Sequence, residues 1–195
     1  MQKRIAMIGG GNMAAALVAG LAATGYPADC IAVMDRNEDK CARLQAQYGI
    51  FTHLTAGDWL TKADLVVLAV KPQGMKVAIE QIKPYLSDKA LFISIAAGLR
   101  IKDIARWLGS DQLVRAMPNT PALVKAGVVG LYVPENLEGE KPLVVDVLKA
   151  MGEVIVVKSE LELDLLSTVS GSGPAYVFRF IEALEEAAVK RGFDR

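Results

Sequence analysis

Residues 5–21, IAMIGGGNMAAALVAGL, run a short apolar stretch straight into three glycines and then into an alanine-rich stretch with helical spacing. A chain gives up side chains at a strand-to-helix junction for one of two reasons. Either the turn is too tight for them, or something else has to fit there. Gly9, Gly11 and Ala14 match the spacing G-x-G-x-x-A. In that pattern the first glycine permits the sharp turn and the second lets a pyrophosphate approach the backbone. The small third residue lets the helix pack close to the sheet. The helix N-terminus adds free N–H groups and a partial positive charge, both suited to phosphate. Ala14, Leu17, Val18 and Leu21 supply a buried stripe for that helix. Asp35, at the end of the next apolar run and about 20 positions past Ala14, completes a dinucleotide-binding context.

The remainder of the chain repeats the alternation. Strands are predicted at Arg4–Ile8, Ile31–Asp35, Leu65–Val70, Leu91–Ala96, Leu113–Met117, Val128–Val133 and Val154–Lys158, with helices at about 11–24, 38–47, 74–86, 101–108 and 138–151. Runs such as LVVLAV and LFISIAA are apolar on consecutive residues, as in a parallel strand covered on both faces. The order predicts an α/β fold, a Rossmann-like, doubly wound, mostly parallel sheet. Strand signals stop near Glu160. From Pro174 the pattern places Val177, Phe180, Ile181, Leu184 and Ala188 on one helical face, with Gly192 as a stop. The expected division is a dinucleotide-binding domain over 1–158 and the start of an all-helical domain over 159–195. A stripe this apolar needs a partner surface.

Composition excludes several classes. Lys plus Arg (22) equals Asp plus Glu (22), so no overall charge recruits nucleic acid or a membrane surface. Cys30 and Cys41 give no disulfide framework, and the single histidine, His53, leaves no His/Cys cluster for a catalytic metal. No window approaches the roughly 20 apolar residues of a membrane span, and the basic start MQKR precedes no signal-peptide core. The expectation is a soluble, cytoplasmic protein with reduced thiols.

The choice of dinucleotide stays open on the residues alone. Asp35 suits the ribose hydroxyls of NAD(H). Arg36, with Asn37 and Lys40 nearby, suits the 2′-phosphate of NADP(H), and the reading leans to NADP(H). The plain alternative is that Arg36 and Lys40 are a solvated face.

Four later stretches fall where strands of such a sheet end: AVKPQ (69–73), SIAAG (94–98), RAMPNTPA (115–122) and SGSGPAY (170–176). Together with IGGGNMAAAL, and in this order, they resemble pyrroline-5-carboxylate reductase over the whole chain. The resemblance implies NAD(P)H-dependent reduction of an imino acid, 1-pyrroline-5-carboxylate, to L-proline. It implies that Gly9, Gly10, Gly11, Asn12, Met13 and Ala14 hold the pyrophosphate, and that Arg36 and Asn37 lie by the adenosine ribose. Ala69, Val70, Lys71 and Pro72, with Ala96, Ala97 and Gly98, would line the ribose and nicotinamide. Met117, Asn119 and Thr120 would face the reacting centre, Glu160 would lie near the substrate, and Ser172 and Gly173 would close the pocket. Each stretch has a structural alternative. Lys71 is held extended by Pro72, Asn119 between two prolines fixes a turn, and SGSGP caps a helix. Tyr176 is read as a packing residue with a solvated hydroxyl.

The resemblance also marks differences. Relatives continue through further helices that interlock two copies, and carry an S-P-G-G-T-type loop for the substrate carboxylate. This sequence carries no such loop, so cofactor binding is expected to be more secure than turnover. A homo-oligomer based on a dimer is expected where those helices are present. Many relatives have asparagine about where Ala56 stands, which implies one ribose contact fewer. Two other readings compete. One is a catalytically silent NADP-binding fragment. The other is a β-hydroxyacid dehydrogenase, whose lysine would fall at Val177, where this chain has none.

Overall fold

The computed structural model describes residues 2–194. One eight-stranded sheet has the order β3-β2-β1-β4-β5-β6-β7-β8. The strands are β1 (Ile5–Ile8), β2 (Ile31–Met34), β3 (Phe51–His53), β4 (Leu65–Leu68), β5 (Leu91–Ser94), β6 (Leu113–Met117), β7 (Gly127–Tyr132) and β8 (Gly152–Val157). All pairings are parallel except β6 with β7. Ile5 stands opposite both Ile31 and Leu65, and Leu65 opposite Leu91, so the central strands run in level register.

Side chains alternate across each strand, and the central strands β1, β4, β5 and β6 are covered on both faces, which is why they read as unbroken apolar runs, while the edge strands leave Phe51, Ile155 and Val156 exposed. Ile5, Met7, Val33, Val67 and Ile93 pack beneath α1 (Asn12–Ala23), α2 (Glu38–Tyr48) and α5 (Lys141–Leu148), against Leu17, Val18, Leu21, Leu44 and Leu148. Ala6, Ile8, Val66, Leu68 and Phe92 face the other way, onto Met75, Ile79 and Ile82 of α3 (Met75–Ile82) and Ile104 and Leu108 of α4 (Ile101–Leu108).

Three local expectations need correction. A strand the sequence pattern does not announce, β3, pairs with β2 at the edge of the sheet. The helix expected over 138–151 is α-helical only from Lys141 to Leu148, with 3-10 turns at Glu135–Glu140 and Lys149–Met151. Gly152 at φ +139° then starts β8 two residues before Val154, where the apolar run begins. Beyond the sheet lie α6 (Glu160–Ser170) and α7 (Gly173–Lys190). Ser159 caps α6 by accepting a bond from the Glu162 amide. On α7, Val177, Phe180, Ile181 and Leu184 are all exposed. Tyr176, expected to pack, is 76% exposed. Among the described residues no helix is long and apolar enough to cross a membrane.

Candidate dinucleotide and substrate site

The strand order reverses at β1, so the crossovers leaving β1 and β4 depart to opposite sides and open a crevice between their carboxyl ends. That crevice holds about 540 Å³ and is lined by Gly9, Gly11, Asp35, Arg36, Lys40, Ala69, Val70 and Lys71, among others. Gly9 and Gly11 stand there for different reasons. Gly9 sits at φ +105°, and a Cβ on it would lie 2.8 Å from the Ala69 carbonyl oxygen. The fold itself requires that glycine. Gly11 has φ −74° and ψ −177°, an extended conformation open to any residue, and a Cβ on it would meet no protein atom within 4 Å. Nothing in the protein excludes a side chain at Gly11, so the fold itself does not require glycine there.

Gly11 is also the N-cap of α1, whose first turn has neither a side-chain cap nor an acidic residue. Its amides therefore point, unclaimed by side chains, toward the crevice that Gly11 leaves clear. Asn12 is exposed, and Met13 half-buried beside it. A dinucleotide diphosphate fits this donor set: backbone N–H groups, no carboxylate at the helix start, and a glycine with no structural duty.

Asp35 does something other than offer a free carboxylate to a ribose. Its Oδ2 accepts the Gly10 amide at 2.8 Å and lies 3.4 Å from Lys40 Nζ, while Oδ1 accepts the Asn37 amide at 2.9 Å. Burial works to raise its pKa. The Asn37 and Gly10 amides and the Lys40 ammonium outweigh that and hold the carboxyl below its ordinary range. Asp35 is thus a clamp on the glycine turn. Asn37 is likewise engaged, its Oδ1 capping α2 through the Lys40 amide at 3.0 Å. Arg36 is exposed on the crevice wall and makes no ion pair among the described residues.

Further along the same edge come the ends of β5 and β6. Ala96 is buried, and Ala97 and Gly98 are exposed. Met117 is half-buried at the end of β6, and Thr120 is exposed at the start of the 3-10 turn Thr120–Val124. Asn119 is buried with both ends of its amide in use. Oδ1 accepts the Val128 amide at 2.9 Å, and Nδ2 donates to the Ser170 carbonyl at 3.1 Å. That bond ties the MPNTPA stretch to SGSGPAY. Ser172 occupies the N-cap of α7 but makes no side-chain cap bond, while Gly171 caps α6, where a Cβ would lie 2.6 Å from the Ser167 carbonyl oxygen, and Pro174 stands in the first turn of α7. Lys71 is exposed and extended, as Pro72 dictates.

Glu160 is not free either. Its Oε1 accepts from Arg115 Nη1 at 2.7 Å and from the Ile101 amide at 2.9 Å. Arg115 is the residue that sequence reasoning passed over. It is 1% exposed, with its second Nη bonded to Asp164 at 3.0 Å. A lone arginine inside the apolar run LVRAM was the available signal.

A family model described as NADP oxidoreductase coenzyme F420-dependent matches residues 4–98, and one described as pyrroline-5-carboxylate reductase dimerisation matches residues 160–195. The pyrroline-5-carboxylate reductase of Pseudomonas aeruginosa is 39% identical over 194 residues, covering 98% of this chain and 71% of the relative. The chain belongs to the pyrroline-5-carboxylate reductase family. The Escherichia coli family member is 40% identical over 203 residues and is covered to 73%. The solved pyrroline-5-carboxylate reductase of Coxiella burnetii superposes with a TM-score of 0.90 at 42% identity, covering all of this chain and 73% of that one. The Plasmodium falciparum structure, with NADP bound, gives 0.85 at 30% identity, covering 98% and 71%. Prephenate dehydrogenase from A. aeolicus, at 0.73 and 18% identity, shares the fold alone.

Proposed function

We propose that this chain reduces 1-pyrroline-5-carboxylate to L-proline, with NADPH favoured over NADH. The observation that carries the reading is Gly11, a glycine the fold does not need, at the uncapped start of α1 in a crevice at the sheet's switch point. When bound, the reduced nicotinamide supplies the hydride taken up by the C=N carbon. Gly9, Gly10, Gly11, Asn12, Met13 and Ala14 hold the diphosphate, with Asp35 fixing the Gly10 amide. Arg36 offers an exposed guanidinium to a 2′-phosphate, with Asn37 beside it. Ala69, Val70, Lys71 and Pro72, with Ala96, Ala97 and Gly98, line the ribose and nicotinamide along the carboxyl edge.

A protonated imine is already electrophilic, so orientation and aligned donors can supply much of the rate. Met117 and Thr120 face the reacting centre, and Ser172 and Gly173 close the pocket. Asn119 and Glu160 serve the same region through the bonds they make to the Ser170 carbonyl and to Arg115.

Residues 1–158 form the dinucleotide-binding domain in this reading, and 159–195 belong to a helical region for substrate and dimer contacts. The exposed apolar stripe of α7 supports a homo-oligomer. The balanced charge and two free thiols suit a cytoplasmic enzyme acting on a small molecule rather than a nucleic acid.

The test is NADPH oxidation with 1-pyrroline-5-carboxylate, with proline measured alongside. Proline formed in step with NADPH consumed is the expected result. NADPH binding without proline would assign the chain to silent binding instead.

A further inference from the structure

We infer that Arg115 is a positioning residue that sets the substrate-side segment of the site against the cofactor-side loop; this rests on the proposed reductase reading. The guanidinium is 1% exposed inside a strand whose neighbours Val114 and Ala116 are buried. It donates to Glu160 at 2.7 Å and to Asp164 at 3.0 Å, two carboxylates one turn apart on α6. Arg100 completes the cluster at 2.9 Å from the other Asp164 oxygen, and the Ile101 amide bonds Glu160 at 2.9 Å.

A buried ion cluster is weak evidence for a stabilising role, because replacing all of its members by well-packed apolar residues is often neutral or stabilising. What the cluster supplies is register. Two fixed carboxylates against one planar guanidinium define both the rotation and the translation of α6 along β6. Each strand or helix in the cluster then runs directly into the site. Met117 follows Arg115 by two residues. Ala96, Ala97 and Gly98 lead into Arg100 and Ile101. At its far end α6 delivers the Ser170 carbonyl to Asn119. Leu163 and Leu166 of α6 lie so close over Gly130 of β7 that a Cβ there would come within 2.8 Å of Leu163 Cδ1 and Leu166 Cδ2. The helix is therefore seated on apolar contact and registered by charge. Arg115 touches neither substrate nor cofactor in this account. It acts through α6.

The test uses the whole chain with Arg115→Met, Arg115→Lys and, as a variant that keeps the Glu160 bond, Asp164→Asn. Arg115→Met should raise KM for pyrroline-5-carboxylate by about 10-fold or more, the scale of loss that small misplacements cause. The Kd for NADPH should change less than the KM, since the glycine turn and its Asp35 clamp lie on other strands. Arg115→Lys should recover part of the KM, restoring charge without the planar fork. Independently of activity, amide hydrogen exchange in the last turn of α6 and at Gly171 should accelerate in Arg115→Met and, to a smaller degree, in Asp164→Asn. Unchanged exchange there, or a lowered melting temperature with an unchanged KM, would overturn the inference and leave Arg115 a purely structural residue. A parent chain that makes no proline would sink the reductase reading, and the exchange measurement would still decide whether Arg115 registers α6. Should Arg115→Met fail to fold, Asp164→Asn and Arg115→Lys carry both readouts.

Discussion

Gly9 and Gly11 stand two residues apart and look alike in the sequence, yet only one is demanded by the fold. At Gly9 an alanine would have to adopt φ +105° with its Cβ against the Ala69 carbonyl, a strain of about 1–3 kcal/mol. At Gly11 an alanine would keep an ordinary backbone and meet open space, at a cost under about 1 kcal/mol for a poorer cap. Thermal unfolding should separate the two, with Gly9→Ala lowering the melting temperature by several degrees and Gly11→Ala leaving it nearly unmoved. Equal losses would mean that Gly11 too is structural. Asp35 carries the complementary lesson. Its position after β2 was legible in the sequence and its role was not, because nothing in the order of residues says that its carboxylate turns back onto the Gly10 amide.

The elements that were legible are those with both faces buried or with strong helical spacing. β1, β4, β5 and β6 read as apolar runs because helices cover them on both sides. α4 matches its expected 101–108 because amphipathic spacing marks it and Gly109, in a left-handed conformation, ends it. β3 was hidden for the opposite reason: it is three residues long, lies at the edge, and mixes phenylalanine, threonine and histidine. α6 falls inside the all-helical stretch expected over 159–195, but its own bounds were not drawn there, because its inner face mixes Leu163 with the carboxylates of the charge cluster in place of a continuous apolar stripe. β3 also places the chain's one histidine. His53 stacks on Trp59 with ring centroids 4.2 Å apart and planes 5° from parallel, and burial holds its pKa below the ordinary 6.5. The unfolded chain therefore binds a proton at His53 more readily than the folded one. The resulting stability is complete above pH 6.5 and is lost as pH falls from there toward the lower folded value. Urea unfolding between about pH 7 and 5.5 should show a falling midpoint, and His53→Phe, which keeps a stacking ring, should flatten that slope. An unchanged slope in the variant would place the pH dependence elsewhere.

Across the whole molecule, parallel strands bring their carboxyl ends to one edge, and that edge gathers stretches scattered from residue 9 to residue 119. The turn after β1, the strand ends at Ala69 and Ala96, and Met117 share it because β1, β4, β5 and β6 are consecutive neighbours running the same way. The second helix pair joins them through two links the sequence did not disclose, Asn119 to Ser170 and Arg115 to α6. The proposed function rests on a diphosphate seated at Gly11, and a calorimetric titration of NADPH tests that most directly. The parent chain should bind one cofactor per chain, and Gly11→Val, whose side chain is at ease in the extended backbone there, should fold with at most the small loss of melting temperature expected of a poorer cap and bind none. A Gly11→Val chain that takes up NADPH as tightly as the parent would contradict the account.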